Sequence, residues 1–202
     1  MLRKKILPLS ATTFSKEAAS IQQLSVLVMD RWDNAKSGHD VYFSVEQGNG
    51  TLIEQNSNYQ IKSIAADDSG RALILYKLGT NSSVLNRIKC WAKTPDGLTE
   101  LGGSPFWFEA TVLADEPAAI VKVSGANQSG RVMHTLPDSF LVQIRDKFQN
   151  PIAQKSVRFG AKSHGSTING QSMVSVQANY SGKAGVIFTL GDRAGQLSDT
   201  LV

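Results

Sequence analysis

The chain has 202 residues, of which 41% are hydrophobic and 19% charged, and its formal net charge is +4. This composition supports ordinary buried cores and excludes a chain that is disordered throughout. No apolar run approaches the roughly 20 residues that cross a bilayer, so we expect no membrane-spanning segment. Most of the net charge lies before residue 20, and the nearly neutral remainder has no basic stripe that would favour nucleic acid.

Residues 1–20 are predicted to be an N-terminal tail or a truncated edge. The segment from Met1 to Lys5 has the basic start of a signal peptide. The apolar part that follows is short and is interrupted by Pro8 and Ser10. A cleavable secretion signal is therefore not predicted here.

From residue 21 onward the sequence repeats one pattern at an offset of 116 positions. Alternating apolar residues, then Asp and Asn, occur at Leu24, Val26, Val28, Asp30 and Asn34 and again at Phe140, Val142, Ile144, Asp146 and Asn150. Alternation with a period of two indicates strands, because it places apolar side chains on one face. A period above 100 residues is the size of a domain.

Turn residues separate the predicted strands at similar places in both repeats. Ser69-Gly70 returns as Ser181-Gly182, and strands recur at about ten-residue spacing between such turns. We therefore predict an all-β chain of two tandem β-sandwiches, at 21–112 and 119–202, joined by a short connector at 113–118. Pro117 restricts both its own backbone and that of Glu116, which predicts a semi-rigid joint.

The second repeat is predicted to lack its last strand. In the first repeat, the segment from Pro105 to Thr111 follows Cys90 and reads as the closing strand. The second repeat stops at Val202, at its counterpart of the Ile88 to Cys90 region. Whether such a strand comes from this chain, from another chain or from neither stays open.

Several motifs of the second repeat resemble the bacterial Ig-like repeats of the invasin and intimin type. These are Pro117-Ala118-Ala119, the turn from Ser124 to Gly130, Leu136-Pro137 and the corner from Asp146 to Pro151. Gln149 stands where that family usually has glycine. The first repeat departs further, because no comparable Ser-Gly-x-Asn-Gln turn precedes Ile21.

The resemblance implies two Ig-like sandwiches in a bacterial, extracellular or cell-surface protein that functions in adhesion. It implies a non-enzymatic, rod-like spacer whose partners are neighbouring Ig-like repeats of the same chain. A recognition module that binds carbohydrate or a protein receptor through its loops is the alternative. Accessory domains of a secreted polysaccharide-acting enzyme are a third possibility.

No catalytic site or cofactor is predicted. His39, His134 and His164 fall in loops or at strand ends, without a second ligand at metal-binding spacing. Cys90 is the only cysteine, and its apolar neighbours predict a buried thiol.

Two acidic pairs are weak calcium candidates. They are Asp67 with Asp68, and Asp115 with Glu116, since each offers oxygen donors near a turn. A hairpin turn and a solvated joint are the favoured interpretations.

The tryptophans divide into two groups. Trp91 and Trp107 lie in predicted strands and are expected in the core, whereas Trp32 and its counterpart Phe148 lie in turns. Because both repeats have an aromatic residue there, we expect these two to cap the sandwich ends.

Overall fold

In the computed structural model, which describes residues 5–162 and 165–194, every regular element is a β-strand. The chain divides into two compact units, with the boundary between Ala114 and Asp115. Within the described ranges, no helix is long and apolar enough to cross a membrane.

In residues 5–114, the first unit contains ten strands in two five-stranded sheets. The first sheet consists of β1 (Lys5–Pro8), β3 (Ile21–Met29), β5 (Thr51–Glu54), β6 (Ser57–Tyr59) and β8 (Arg71–Lys77). The second sheet consists of β2 (Thr13–Glu17), β4 (Asp40–Gln47), β7 (Ile61–Ala65), β9 (Asn86–Ala92) and β10 (Phe106–Leu113). The strand orders are β1-β3-β8-β5-β6 and β2-β10-β9-β4-β7.

The structure differs from the predicted tail, because residues 5–17 supply one edge strand to each sheet. β1 pairs antiparallel with β3, so that Ile6 lies opposite Val28, and both side chains are fully buried. β2 pairs parallel with β10, where Phe14 lies opposite Ala110. A four-residue strand ending at a proline is too short to show an alternating pattern, and only its pairing with β3 gives Ile6 a core position.

The inward faces of the two sheets form the core of the first unit. The alternation in β3 has the predicted outcome, since Leu24, Val26 and Val28 are fully buried. Ile88 and Cys90 of β9 are buried in the other sheet. Burial of such side chains is the main source of stability for a sandwich.

The second unit contains seven strands in the described residues. They are β11 (Pro117–Ser124), β12 (Phe140–Asp146), β13 (Ser156–Gly160), β14 (Thr167–Ile168), β15 (Met173–Gln177), β16 (Lys183–Val186) and β17 (Phe188–Thr189). β11, β12 and β16 form one sheet, and the pairs β13-β15 and β14-β17 form two more. The predicted absence of a closing strand concerns residues beyond 194, which lie outside the described residues.

Both units contain the same Asp corner after a central strand. Asp30 Oδ1 accepts the backbone N–H groups two and four positions later, at 2.8 and 3.0 Å. Asp146 Oδ1 accepts the equivalent two groups, each at 2.8 Å. The side-chain amides of Asn34 and Asn150 donate to the other carboxylate oxygen, at 3.2 and 2.8 Å. The repeated Asp and Asn of the sequence are therefore one structural device used twice.

A glycine packs directly against each Asp corner. Gly70 and Gly182 have positive φ values of 73° and 71°. A Cβ atom would lie 2.7 Å from Val28 O at Gly70, and 2.9 Å from Ile144 O at Gly182. No side chain fits there, and this explains why Ser-Gly occurs at both places.

Gln128 explains the turn that the second repeat shares with Ig-like repeats. Its side-chain amide donates to Gly125 O at 2.7 Å and to Asp138 O at 2.8 Å. Its carbonyl oxygen accepts the N–H of Asp138 at 2.9 Å. One side chain therefore fastens both ends of the connection between β11 and β12.

Candidate functional site

The joint between the units, Ala114–Glu116, is short because β10 ends at Leu113 and β11 begins at Pro117. The N–H of Asp115 donates to Asp146 Oδ2 at 3.0 Å. The carboxylate of Asp115 forms an ion pair with Lys147, in which Oδ2 and Nζ are 2.7 Å apart. Its Oδ1 accepts the N–H of Glu116 at 2.8 Å. These bonds tie the middle of the joint to the second unit.

Two carboxyl groups at the joint have lowered pKa values. Burial would raise the pKa of the fully buried Asp146, but hydrogen bonds from the Asn150 side chain and from three backbone N–H groups outweigh it. The hydrogen bond from Lys147 is the main cause that lowers the pKa of Asp115. Both groups are therefore carboxylates at neutral pH.

In the first unit, an ion pair also links the opening strand to the corner. The acid and the base have exchanged places relative to the second unit. There Lys5 of β1 forms an ion pair with Asp33 of the corner, with Nζ and Oδ1 2.6 Å apart. In the second unit the acid lies in the preceding segment, and the base, Lys147, lies in the corner. Each corner thus forms an ion pair with the opening segment of its own unit, but the corner supplies the acid in the first unit and the base in the second.

The calcium candidates lie in separate turns, and several of their oxygen atoms are already engaged. Asp67 Oδ1 accepts Ser69 N, Ser69 Oγ and Arg71 N, each at 2.9 Å. The side chains of Asp68 and Glu116 are exposed, and Asp115 is paired with Lys147. In residues 5–162 and 165–194, no three His, Cys, Asp or Glu side chains are grouped as a metal ion would require.

In the part of the chain that the structure describes, His39, His134 and Cys90 form no metal-binding group. His39 Nε2 lies 2.7 Å from Lys93 O, and His134 Nδ1 lies 2.9 Å from Val132 O. His164 lies outside the described residues. Cys90 is fully buried, as predicted, and burial raises the pKa of its thiol, which disfavours the reactive thiolate.

Trp91 and Trp107 correct the sequence prediction, because they lie half-buried on the outer face of their sheet. The strand register decides this, since Cys90 and its alternate neighbours occupy the inner face of β9. The ring of Trp91 stacks on Tyr42, with centroids 5.4 Å apart and planes at 16°. The guanidinium carbon of Arg87 lies 4.4 Å from the ring centroid of Trp107.

Trp32 also differs from its prediction. Its side chain is 65% exposed and does not cover the end of the sandwich. The guanidinium carbon of Arg31 lies 3.8 Å from its ring centroid. Its counterpart Phe148 is half-buried.

A cleft opens where the β3–β4 and β9–β10 connections of the first unit meet. Its volume is about 420 Å³, within the range of small-molecule sites. The residues around it are Lys36, Ser37, Gly38, His39, Asp40, Tyr42, Lys93, Thr94, Pro95 and Gly97. Sequence analysis missed this site because its residues come from two segments more than 50 positions apart, one running from the β3–β4 connection into β4 and the other in the β9–β10 connection.

Hydrogen bonds fix the walls of the cleft. Gly38 N donates to Ala66 O at 2.7 Å, and Ala66 N donates to His39 O at 2.9 Å. In the β9–β10 connection, the hydroxyl of Thr94 contacts the carboxylate of Asp96, and this bond is the main cause that lowers the pKa of Asp96. Asp96 Oδ1 also accepts the N–H of Leu98 at 3.1 Å.

No protein-family model matches the chain, and no curated protein matches it. Among solved structures, the Yersinia pseudotuberculosis adhesin InvE is similar at 13% identity and a TM-score of 0.40. The match covers 94% of this chain and 51% of the adhesin, so the chain spans about half the length of that structure.

Two further solved structures are similar over nearly the whole chain. Domains 5–6 of the S-layer protein SbsC have 12% identity and a TM-score of 0.38, and the match covers 98% of this chain and 89% of that one. The E. coli alpha-2-macroglobulin has 11% identity and a TM-score of 0.37, with 99% and 13% covered. At these identities and scores, the similarities identify neither a family nor an activity.

Proposed function

We propose that this chain is a non-enzymatic structural segment of a bacterial cell-surface or secreted protein. Its Ig-like sandwiches would act as a spacer, with neighbouring repeats of the same chain as their partners. The observation that carries this proposal is the joint, where Asp115 is fastened by its backbone to Asp146 and by its side chain to Lys147. Because Asp115 is held within the second unit, only Ala114 lies between it and the end of β10, and a connection that short suits a spacer.

The repeated Asp corner supports the same role. A module that is stacked many times needs a fixed point at which the chain enters each sandwich. In both units an ion pair links the opening segment to the corner, through Lys5 and Asp33 or through Asp115 and Lys147. This shared entry supports the proposal that the units are elements of a series.

Backbone ¹⁵N relaxation, measured on the whole chain, tests the proposal. If the joint is stiff, amides of both units report one common overall rotational correlation time. A flexible Gly/Ser insertion of about ten residues after Ala114 is the matched control, and it should give each unit a shorter, separate correlation time. Separate correlation times already in the unaltered chain would contradict the spacer role.

The bonds of Asp115 can be tested in the same way. Asp115→Ala keeps the length of the joint but removes the ion pair with Lys147 and the acceptor for Glu116 N. We expect larger internal motion at the joint amides in this variant. Glu116→Ala is the control, because the exposed Glu116 side chain takes no part in these bonds.

A further inference from the structure

We propose that the cleft between the β3–β4 and β9–β10 connections of the first unit binds an oligosaccharide that carries a carboxylate, such as a uronic acid. This binding activity is separate from the spacer role. It rests on three observations, namely the comparison of the two repeats, the fixed walls of the cleft and the chemistry of its lining.

The duplication separates residues that the scaffold needs from residues that it does not need. The Asp corner is kept in both units, as Asp30 and Asp146 show. The cleft residues are not kept, because His39, Asp40 and Tyr42 correspond at the same offset of 116 to Lys155, Ser156 and Arg158. The sandwich forms with either set. The set in the first unit is therefore free to serve binding.

The walls of the cleft are formed before any ligand arrives. His39 Nε2 lies 2.7 Å from Lys93 O, and this contact joins the two connections. In the β9–β10 connection, Thr94 Oγ1 accepts the N–H of Thr99 at 3.1 Å, and Thr94 N donates to Thr99 O at 2.7 Å. A preformed site loses little conformational entropy on binding, which matters most for weakly bound polar ligands.

The lining matches the chemistry of a sugar. Sugar hydroxyls both donate and accept hydrogen bonds, and the cleft offers the Asp40 carboxylate as an acceptor and the Ser37 hydroxyl as both. Tyr42 adds an aromatic ring for the C–H face of a pyranose, and Trp91 stacked against it holds that ring in place.

Charge selects the kind of sugar. Lys36 and Lys93 line the cleft together with the acidic Asp40, while the neighbouring Asp96 is not a lining residue and its carboxylate is engaged by Thr94 and by the N–H of Leu98. Both lysine side chains are exposed, so they can move to meet a ligand. One surplus positive charge among the lining residues favours a ligand with a carboxylate among its hydroxyls over a neutral sugar.

A titration followed by ¹⁵N–¹H correlation spectra tests the proposal, with trigalacturonate as the acidic probe and maltotriose as the neutral one. We expect saturable shifts with trigalacturonate at the amides of Gly38, His39, Asp40 and Thr94. Lys36→Glu should weaken this binding at least about fivefold, because it replaces an attractive charge with a repulsive one. Its matched control is Lys155→Glu, an exposed lysine of the second unit, which should bind as the unaltered chain does.

Three results would overturn the proposal. The first is the absence of saturable shifts at those amides with either probe up to about 10 mM, a concentration that detects even millimolar binding. The second is equal affinity for maltotriose and trigalacturonate, which would refute recognition of the carboxylate. The third is equal weakening by Lys36→Glu and Lys155→Glu, which would show a nonspecific charge effect.

Discussion

The carboxylate of Asp146 accepts the N–H of Asp115 at 3.0 Å, so the joint is anchored on the corner of the second unit. The same carboxylate accepts the N–H groups of Phe148 and Asn150 and the Asn150 side-chain amide, all at 2.8 Å. Four donors thus converge on one fully buried side chain. Asp146 therefore determines both the shape of the corner and the position of the joint.

Asp146→Asn should destabilise the second unit by roughly 2–4 kcal/mol, because the new amide group would face the donors of Asp115 and Asn150. All three tryptophans precede residue 114, so tryptophan fluorescence reports unfolding of the first unit, whereas far-UV circular dichroism reports both. In urea unfolding of Asp146→Asn, we expect the transition followed by circular dichroism to begin at a lower urea concentration than in the unaltered chain. The transition followed by fluorescence should not change.

Asp30→Asn is the matched variant in the first unit. Asp30 is only half-buried, so water can replace part of its hydrogen bonding. The urea concentration of its fluorescence transition should fall by less than that of the dichroism transition falls in Asp146→Asn. Equal shifts for the two variants would contradict the special role of Asp146.

The turns at Asp67 and Asn179 predict how acid affects the two units. Asn179 Oδ1 accepts Ser181 N at 2.9 Å and Lys183 N at 3.1 Å, as Asp67 Oδ1 accepts the equivalent groups. The pKa of Asp67 is lowered from its ordinary value of 3.8, first by the hydrogen bond from the Arg71 backbone. The unfolded chain therefore binds a proton more readily, and this contribution to stability is full above pH 3.8 and is lost as the pH falls through the folded-state pKa.

Asp67→Asn should lower the Tm of the first unit slightly at pH 7, because the stabilising charge is removed, and should reduce the fall in Tm on acidification to about pH 3. Asn179→Asp should have the opposite effect on the second unit, adding a fall in Tm in acid. Thermal unfolding at both pH values measures this. If neither substitution changes the fall in Tm between pH 7 and about pH 3, these two turns do not determine how the units respond to acid.

Gln149 has a φ of 70°, a conformation that glycine adopts with less strain. Gln149→Gly should therefore be more stable than Gln149→Ala by about 1 kcal/mol, since both lose the contact of Gln149 with Arg145 but only glycine relieves the strain. Urea unfolding of the second unit measures the difference. If the alanine variant is as stable as the glycine variant, strain at this position is negligible.

A comparison of Gly182 with Gly170 distinguishes the cost of a steric clash from the cost of a positive φ. Both have positive φ, at 71° and 80°, but a Cβ atom at Gly182 would lie 2.9 Å from Ile144 O, whereas nothing lies within 4 Å of one at Gly170. Gly170→Ala should cost about 1 kcal/mol and Gly182→Ala roughly 2–4 kcal/mol. Equal costs in urea unfolding would show that the corner yields to a methyl group.

Metal removal should have no effect on stability. The carboxylates of Asp67 and Asp115 are engaged by their own turns and by Lys147. A cation bound only to the folded chain would raise the Tm, so a chelator would lower it. We expect the Tm to be the same with and without chelator. A fall of several degrees that added calcium reverses would instead restore the calcium hypothesis.

The sequence alone predicts the local structure of this protein. Alternation identifies the strand with Leu24, Val26 and Val28, because the period of two follows from the geometry of a strand. The Asp and Asn of each corner are visible for a similar reason, since their hydrogen bonds reach only two to four residues along the chain. Repetition of both signals is sufficient to predict an all-β, sandwich-type chain.

Only the tertiary structure decides what depends on pairing between distant strands. It gives Ile6 a place in the core by pairing β1 with β3, and it turns Trp91 outward through the register of β9. It also brings His39 beside Lys93, 54 positions away, and so forms the cleft. Alternation tells which residues share a face but not which face is inward, because that choice depends on partners that lie far away in the sequence.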